Sequence, residues 1–307
     1  MALKITKSSD PIKVERLNVC IYGQPGAGKS SLAFTAEYPL LLDFDNGAHR
    51  AANRKDIVRV SSWADVADLT ADDLAPYKTV VVDTAGRALD VLTADIIRRN
   101  PKAGRGGALT LQGYGTLKAE FVAWLKALNS YGKDVVLVAH MDEQRNGDDI
   151  IERLDVQGGS KGEIYKAADA MGRVAVKGGA RTLNFNPTEA AFGKNPGQLA
   201  VQDIPHPDKD PDFLASVIAA IKDRLNTLTE EQAAAQEVLE GWRVVIRELS
   251  EPEHFTEKYE AVKKAPKAAQ ALFAAAVTEK GLVFDKATKS YAPKAAAANE
   301  SQEKVAA

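Results

Sequence analysis

Between residues 17 and about 205, short apolar runs alternate with longer amphipathic stretches. The runs at 17–22, 39–43, 57–60, 79–83, 134–139, 172–177 and 181–186 read as strands. Several are unbroken, as in Thr79-Val80-Val81-Val82-Asp83 and Asp134-Val135-Val136-Leu137-Val138-Ala139. A strand apolar at every position is buried on both faces, which is the state of a parallel sheet covered by helices. Helical stretches at 30–37, 63–69, 86–99 and 115–130 fill the gaps, and in the last Leu117, Phe121, Trp124, Leu125 and Leu128 recur at helical spacing. This order predicts an α/β fold with a mostly parallel central sheet flanked by helices. Two segments, 100–113 and 142–162, lack apolar periodicity and read as long loops. Loops of that length in a compact domain are usually functional or disordered.

Beyond 205 the period becomes helical throughout. Phe213, Val217, Ile218, Ile221 and Leu225 form one stripe. Thr229-Glu230-Glu231-Gln232 matches a capping box, predicting a new helix that carries Val238, Leu239, Trp242, Val245, Ile246 and Leu249. Further helices are expected near 253–264 and 266–279, the latter stopped by Gly281. The division predicted is an N-terminal arm over 1–16, a core over 17–205, a small helical region over 206–285 and a disordered tail over 286–307.

Composition narrows this picture without redirecting it. The 307 residues are 45% hydrophobic and 27% charged, ordinary for a globular protein. A net charge of −2 means that any nucleic-acid contact must come from local patches. Cys20, the single cysteine, falls within a predicted strand, so neither a disulfide nor a cysteine-based metal site is expected. No apolar run approaches the ~20 residues of a membrane span, and the N-terminus lacks a signal peptide's apolar region. The expectation is a cytoplasmic protein with no membrane partner.

The chemistry is concentrated at strand ends. Gly23-Gln24-Pro25-Gly26-Ala27-Gly28-Lys29-Ser30 fits G-x-x-x-x-G-K-[ST] at every fixed position, between a predicted strand and the helix opened by Ser31. In this motif backbone N–H groups cradle phosphates, the lysine reaches the β and γ phosphates, and the hydroxyl meets Mg²⁺. The predicted ligands are therefore ATP and Mg²⁺, bound by residues 23–31. Asp83, closing a valine strand, is the expected carboxylate partner of Ser30 at the metal. Asp43 and Asp45 end the second strand in Leu42-Asp43-Phe44-Asp45-Asn46-Gly47, and Asp45 is the candidate for orienting or deprotonating an attacking water. His140, after the fifth strand, is the candidate sensor of the γ-phosphate. A GTPase reading has weaker support. Asp83-Thr84-Ala85-Gly86 mimics D-x-x-G, but Ala139-His140-Met141-Asp142 fails [NT]-K-x-D at its lysine and its first residue.

The order of these parts resembles the RecA-like recombinase core. More narrowly, Gly23–Ser30, Asp43-Phe44-Asp45-Asn46-Gly47-Ala48-His49-Arg50, Val80–Asp83 and Val138-Ala139-His140 resemble phage-encoded short RecA-like ATPases that act as single-strand annealing proteins. Over about 17–200, the resemblance implies a RecA-like P-loop NTPase core that hydrolyses ATP between neighbouring subunits, with Lys29, Asp45 and His140 at the chemistry. It implies assembly with itself into a filament or ring, recombination of phage DNA in the host cytoplasm, and a single-strand-binding protein as a further partner. Single-stranded DNA would lie on loops at about 100–113 and 142–166. Arg98, Arg99, Lys102 and Arg105 in or near the first, with Arg145, Arg153, Lys161 and Lys166 in or near the second, would meet phosphates, and Tyr114 and Tyr165 would offer stacking faces. Seven acids in the second segment, Asp142, Glu143, Asp148, Asp149, Glu152, Asp155 and Glu163, oppose a simple phosphate-binding role. Lys194, with Arg181 as second choice, would reach a neighbour's nucleotide. Larger family members place glutamate where Asp45 stands, and the region after 205 is unlike the C-terminal domain of cellular RecA, so strand exchange is not implied. The rival from another class is a nucleotide-switched loader or assembly ATPase that docks a protein through its C-terminal helices.

Overall fold

The computed structural model describes residues 3, 5–7, 10–51, 53–146, 149–156 and 161–294. The core elements in chain order are β1 (Asn18–Gly23), α1 (Lys29–Ala33), β2 (Pro39–Asp43), β3 (Ile57–Arg59), β4 (Thr79–Asp83) and α2 (Ala85–Arg99). They continue through β5 (Gly104–Arg105), β6 (Ala108–Leu109), α3 (Leu111–Ser130), β7 (Asp134–Asn146), β8 (Asp149–Leu154), α4 (Lys161–Ala167), β9 (Ala170–Lys177), β10 (Ala180–Asn184) and β11 (Gln202–Asp203). The chain ends with α5 (Phe213–Glu248), α6 (Pro252–Lys264), α7 (Lys267–Glu279), β12 (Leu282–Asp285) and β13 (Ser290–Pro293).

The main sheet runs β11-β10-β9-β1-β7-β4-β2-β3, with β8 hydrogen-bonded to β7 beyond this path. Strands β9, β1, β7, β4, β2 and β3 are mutually parallel, and β10, β11 and β8 are antiparallel additions. Alternation along each strand sorts its side chains into two apolar layers. On one face Cys20, Tyr22, Val80, Val82, Val135 and Leu137 pack with Leu92 of α2 and Phe121, Trp124 and Leu128 of α3. On the other, Ile21, Val81, Val136 and Val138 meet Leu32 of α1 and Leu214, Ile218 and Ile221 of α5. A fully buried Val or Leu stabilises the fold by about 2 kcal/mol, so this double coverage explains why the central strands are apolar over 19–21, 40–42, 80–82 and 135–139.

Two compact units are present: Lys13–Asn226, and Thr227–Ala307 together with Met1–Ile12. The division falls inside α5 rather than at 205, because the stripe from Leu214 to Ile221 belongs to the sheet's apolar layer. The capping box predicted at Thr229 does not open a helix; α5 passes through it, since neither glycine nor proline interrupts 213–240. The second unit has its own core of Leu249, Phe255, Val262 and Phe273, closed by the β12–β13 hairpin. Residues 286–293, expected in a disordered tail, thus include the paired strand β13, which Tyr291 pins against Phe255 and Phe273. Residues 295–307 lie outside the described ones.

The predicted loop over 142–162 is largely a β-hairpin, in which β7 runs on past His140 and pairs with β8 from Met141↔Leu154 to Asn146↔Asp149. The segment 100–113 holds a 3₁₀ turn and the small β5–β6 hairpin. Helix α1 is only five residues long, because the Thr35 hydroxyl turns back to the Leu32 carbonyl and also accepts the Leu214 N–H that starts α5. The helix expected over 63–69 is a single 3₁₀ turn, Trp63–Asp65, with Ser62 and Asp65 as a capping box.

Candidate functional site

Parallel pairing places the ends of four strands side by side. Gly23 of β1 lies opposite His140 of β7, Asp43 of β2 opposite Asp83 of β4, and Asp83 opposite Val138. The polar residues that terminate otherwise apolar strands therefore collect at the carboxyl edge of the sheet, where open α/β sheets bind ligands. Gly26 and Gly28, with φ of 79° and 80°, turn the 23–30 segment around this edge in a conformation that costs glycine little. A cleft of about 210 Å³ results, lined among others by Gly26, Gly28, Lys29, Ser30, Asp45, Asp83 and His140.

Lys29 is 5% exposed, and its ammonium donates to the carbonyls of Gly23 at 2.9 Å and Gln24 at 2.8 Å. Burial lowers its pKa to about 8, against the opposing pull of Asp83 and Asp45. A buried ammonium held by neutral carbonyls alone is a cation placed for an anion. Asp83, also 5% exposed, has its pKa raised by burial and by Asp45 and Asp43, while a hydrogen bond from Ser30 and the charge of Lys29 act the other way. A hydroxyl and a buried carboxylate in contact form a hard-oxygen donor pair that fits Mg²⁺ completed by phosphate oxygens and water. The structure thus brings Lys29, Ser30 and Asp83 together, as nucleotide chemistry requires. Among the described residues no cluster of three His, Cys, Asp or Glu side chains provides a separate metal site.

The two carboxylates of the second strand have different work. Asp43 is buried and accepts the N–H groups of Gly47 at 2.9 Å and Ala48 at 3.1 Å, tying the turn. Asp45 faces the cleft. Its carboxylate meets His140 Nε2 at 3.3 Å, Arg87 Nε at 3.5 Å and the Thr84 hydroxyl at 3.5 Å. The His140 hydrogen bond, aided by the charges of His140 and Arg87 and by the Thr84 hydrogen bond, outweighs burial and holds its carboxyl below the ordinary aspartate range. An ionised Asp45 can orient a water and accept a hydrogen bond from it, and His140 links that carboxylate to the strand that becomes the β7–β8 hairpin. Arg87 gave no sequence signal beyond its place after Gly86. The peptide between Asp83 and Thr84 is cis.

The basic residues expected to reach a neighbour make contacts within their own chain. Lys194 donates to the carbonyls of Tyr165 and, at 2.6 Å, Ala168, so it caps α4 of its own chain. Its place is fixed by the bridge between its backbone and Met171, not by the end of a ribbon. Arg181, on β10, lies against Gly28 of its own phosphate loop and donates to the Pro205 carbonyl at 3.2 Å.

The nucleic-acid candidates divide. Arg98 and Arg99 sit in the last turn of α2, each 2.6 Å from Asp95, and Arg99 is also 2.6 Å from Glu120, so carboxylates already meet both. Arg153 covers the Phe192 ring at 4.6 Å and Lys166 pairs with Glu163 at 3.3 Å. Tyr165 packs on Phe192 and its hydroxyl accepts the Leu154 N–H at 3.2 Å, which removes it as a free stacking face. Lys102, Arg105 and Arg145 are exposed and, among the described residues, have no acidic partner; Tyr114 is 37% exposed. Lys161 opens α4, while its side chain and all of Asp148 lie outside the described residues.

A family model described as an AAA domain matches residues 15–196. The solved structure of "a prototypical ATPase from the type III secretion system of pathogenic bacteria" is similar at 10% identity and a TM-score of 0.34, covering 52% of this chain and 51% of that one. No curated protein matches. No described helix is long and apolar enough to cross a membrane.

Proposed function

The chain belongs to the AAA-domain family, and from that premise we propose that it is an ATP- and Mg²⁺-dependent RecA-like protein that binds single-stranded DNA and promotes its annealing in phage recombination. The observation that carries this reading is His140. It contacts Asp45 in the nucleotide cleft and lies on the strand that leaves the sheet as the β7–β8 hairpin. Nucleotide state and hairpin position thereby share one side chain.

In the proposed reaction the phosphate loop and Lys29 hold the polyphosphate, and Asp45 orients water for in-line attack at the γ-phosphorus. Mg²⁺, held by Ser30 and Asp83, would supply charge neutralisation at the phosphates. Because Asp45 is stabilised as the carboxylate by His140 and Arg87, its part is orientation more than proton storage. Assembly into a filament or ring, and partnership with a single-strand-binding protein, belong to the same proposal. DNA contact would fall to Lys102, Arg105, Arg145 and Tyr114, the candidates that remain exposed.

Filter binding of a single-stranded oligonucleotide, with and without ATP at low salt, tests the reading. Retention that rises severalfold with ATP is the expected result. ATP binding with no DNA retention under either condition would overturn it and favour an ATPase that acts on a protein partner.

A further inference from the structure

We propose that Arg50 is a second phosphate-binding cation of the cleft, supplied in cis by the turn after β2. The inference rests on the nucleotide reading of that cleft. Asp43, 3% exposed, fixes the 3₁₀ turn Ala48–Arg50 through the N–H groups of Gly47 and Ala48. The Arg50 N–H closes the turn on the Gly47 carbonyl at 3.0 Å. Its guanidinium then folds back over Gly47, where an added Cβ would collide with Nη2. That course brings Arg50 to the lining of the cleft, together with Lys29, Ser30 and Ser31 of the phosphate loop.

The other cations near this edge have partners. Arg87 is paired with the carboxylates of Asp45 and Asp90 and His140 with Asp45, while Lys194 donates to carbonyls at the end of α4 and Arg181 to that of Pro205. Arg50, among the described residues, has neither an ion pair nor a side-chain hydrogen bond, and its head group is exposed. Asp45 and Asp83 add two carboxylates to the cleft, so a cation beyond Lys29 and the Mg²⁺ of the proposed function favours a polyphosphate there. A planar guanidinium with five donors suits phosphate oxygens. Gly47 has a φ of −104°, open to any residue, so a Cβ added there acts by displacing the Arg50 guanidinium and not by straining the backbone.

The test is the affinity of the full chain for ATP and for ADP with Mg²⁺, measured by calorimetry for the wild type, Arg50→Ala, Arg50→Lys, Gly47→Ala, Gly47→Ala/Arg50→Ala and Lys29→Ala. Arg50→Ala should bind both nucleotides about tenfold more weakly, as expected for loss of one charged hydrogen-bonding group. Arg50→Lys should recover part of the loss. Gly47→Ala should lose about threefold, and the double variant should bind no worse than Arg50→Ala. Should Arg50→Ala fail to fold, unchanged binding in both Gly47→Ala and Arg50→Lys overturns the proposal and losses in both support it. Affinities within twofold of wild type in a folded Arg50→Ala, while Lys29→Ala has lost binding, overturn the role of Arg50 alone. A wild type that binds neither nucleotide overturns the nucleotide reading itself.

Discussion

At the scale of single residues, Lys29 has the most informative environment. Its ammonium is buried among neutral carbonyls, and burial brings its pKa to about 8. A bound polyphosphate favours the charged form, so binding takes up a proton whenever the free lysine has lost one. The sign is fixed: affinity is full below about pH 8 and falls as pH rises through it. ATP should therefore bind about tenfold more weakly at pH 9 than at pH 7, measured by fluorescence titration at constant ionic strength. Lys29→Ala should bind very weakly at both pH values. Asp45→Asn keeps the shape of the Asp45 side chain but loses the carboxylate. Turnover in that variant should drop by about 10²-fold while ATP affinity stays within a few-fold, as read from steady-state rates and titrations. The convergence of Lys29, Ser30, Asp83, Asp45 and His140 was legible because each lies at or just after the apolar run of a recognisable strand, and parallel register aligns those runs. The surroundings of Lys194, Arg99 and Arg153 were not. Ala168, Glu120 and Phe192, which meet Lys194, Arg99 and Arg153, come from other elements that no local pattern records, whereas the Asp95 pairs of Arg98 and Arg99 follow the three- and four-residue spacing of one helix.

At the scale of elements, the unbroken valine runs defined the central strands because burial on both faces leaves no room for a polar position. The β7–β8 hairpin escaped notice because its residues are dominated by charge and lack the apolar alternation that marks a strand. Helix α1 was overestimated because the competing bond from the Thr35 hydroxyl depends on α5, which lies 179 residues away. Asp134 shows how such distant ties hold the core together. It heads β7, accepts the Leu17 N–H at 2.7 Å, and its other oxygen takes the ammonium of Lys222 on α5. Asp134→Ala takes the acceptor from the buried Leu17 N–H and from the part-buried Lys222 ammonium. It should destabilise the protein by about 3 kcal/mol in urea melts, with the slope unchanged.

At the scale of the whole molecule, every residue of the cleft lies in the unit Lys13–Asn226, and none in the unit that begins at Thr227. Deleting residues 227–307 should leave ATP affinity within twofold of wild type, a result that calorimetry can read directly. The sequence pattern placed the change of character near 205, where strands end. The unit boundary sits later, because a helix can complete one core with its first turns and continue into another. The AAA-domain match over 15–196 covers the main sheet from β1 through β10 and ends before β11 and α5. The proposed function requires the cleft to couple nucleotide to single-stranded DNA. The most direct measurement is the ATP hydrolysis rate with and without saturating single-stranded DNA, in wild type and Lys29→Ala side by side. The expected result is a DNA-stimulated rate in the wild type and no turnover under either condition in the variant. A wild-type rate indifferent to DNA, or turnover that survives loss of Lys29, would contradict it.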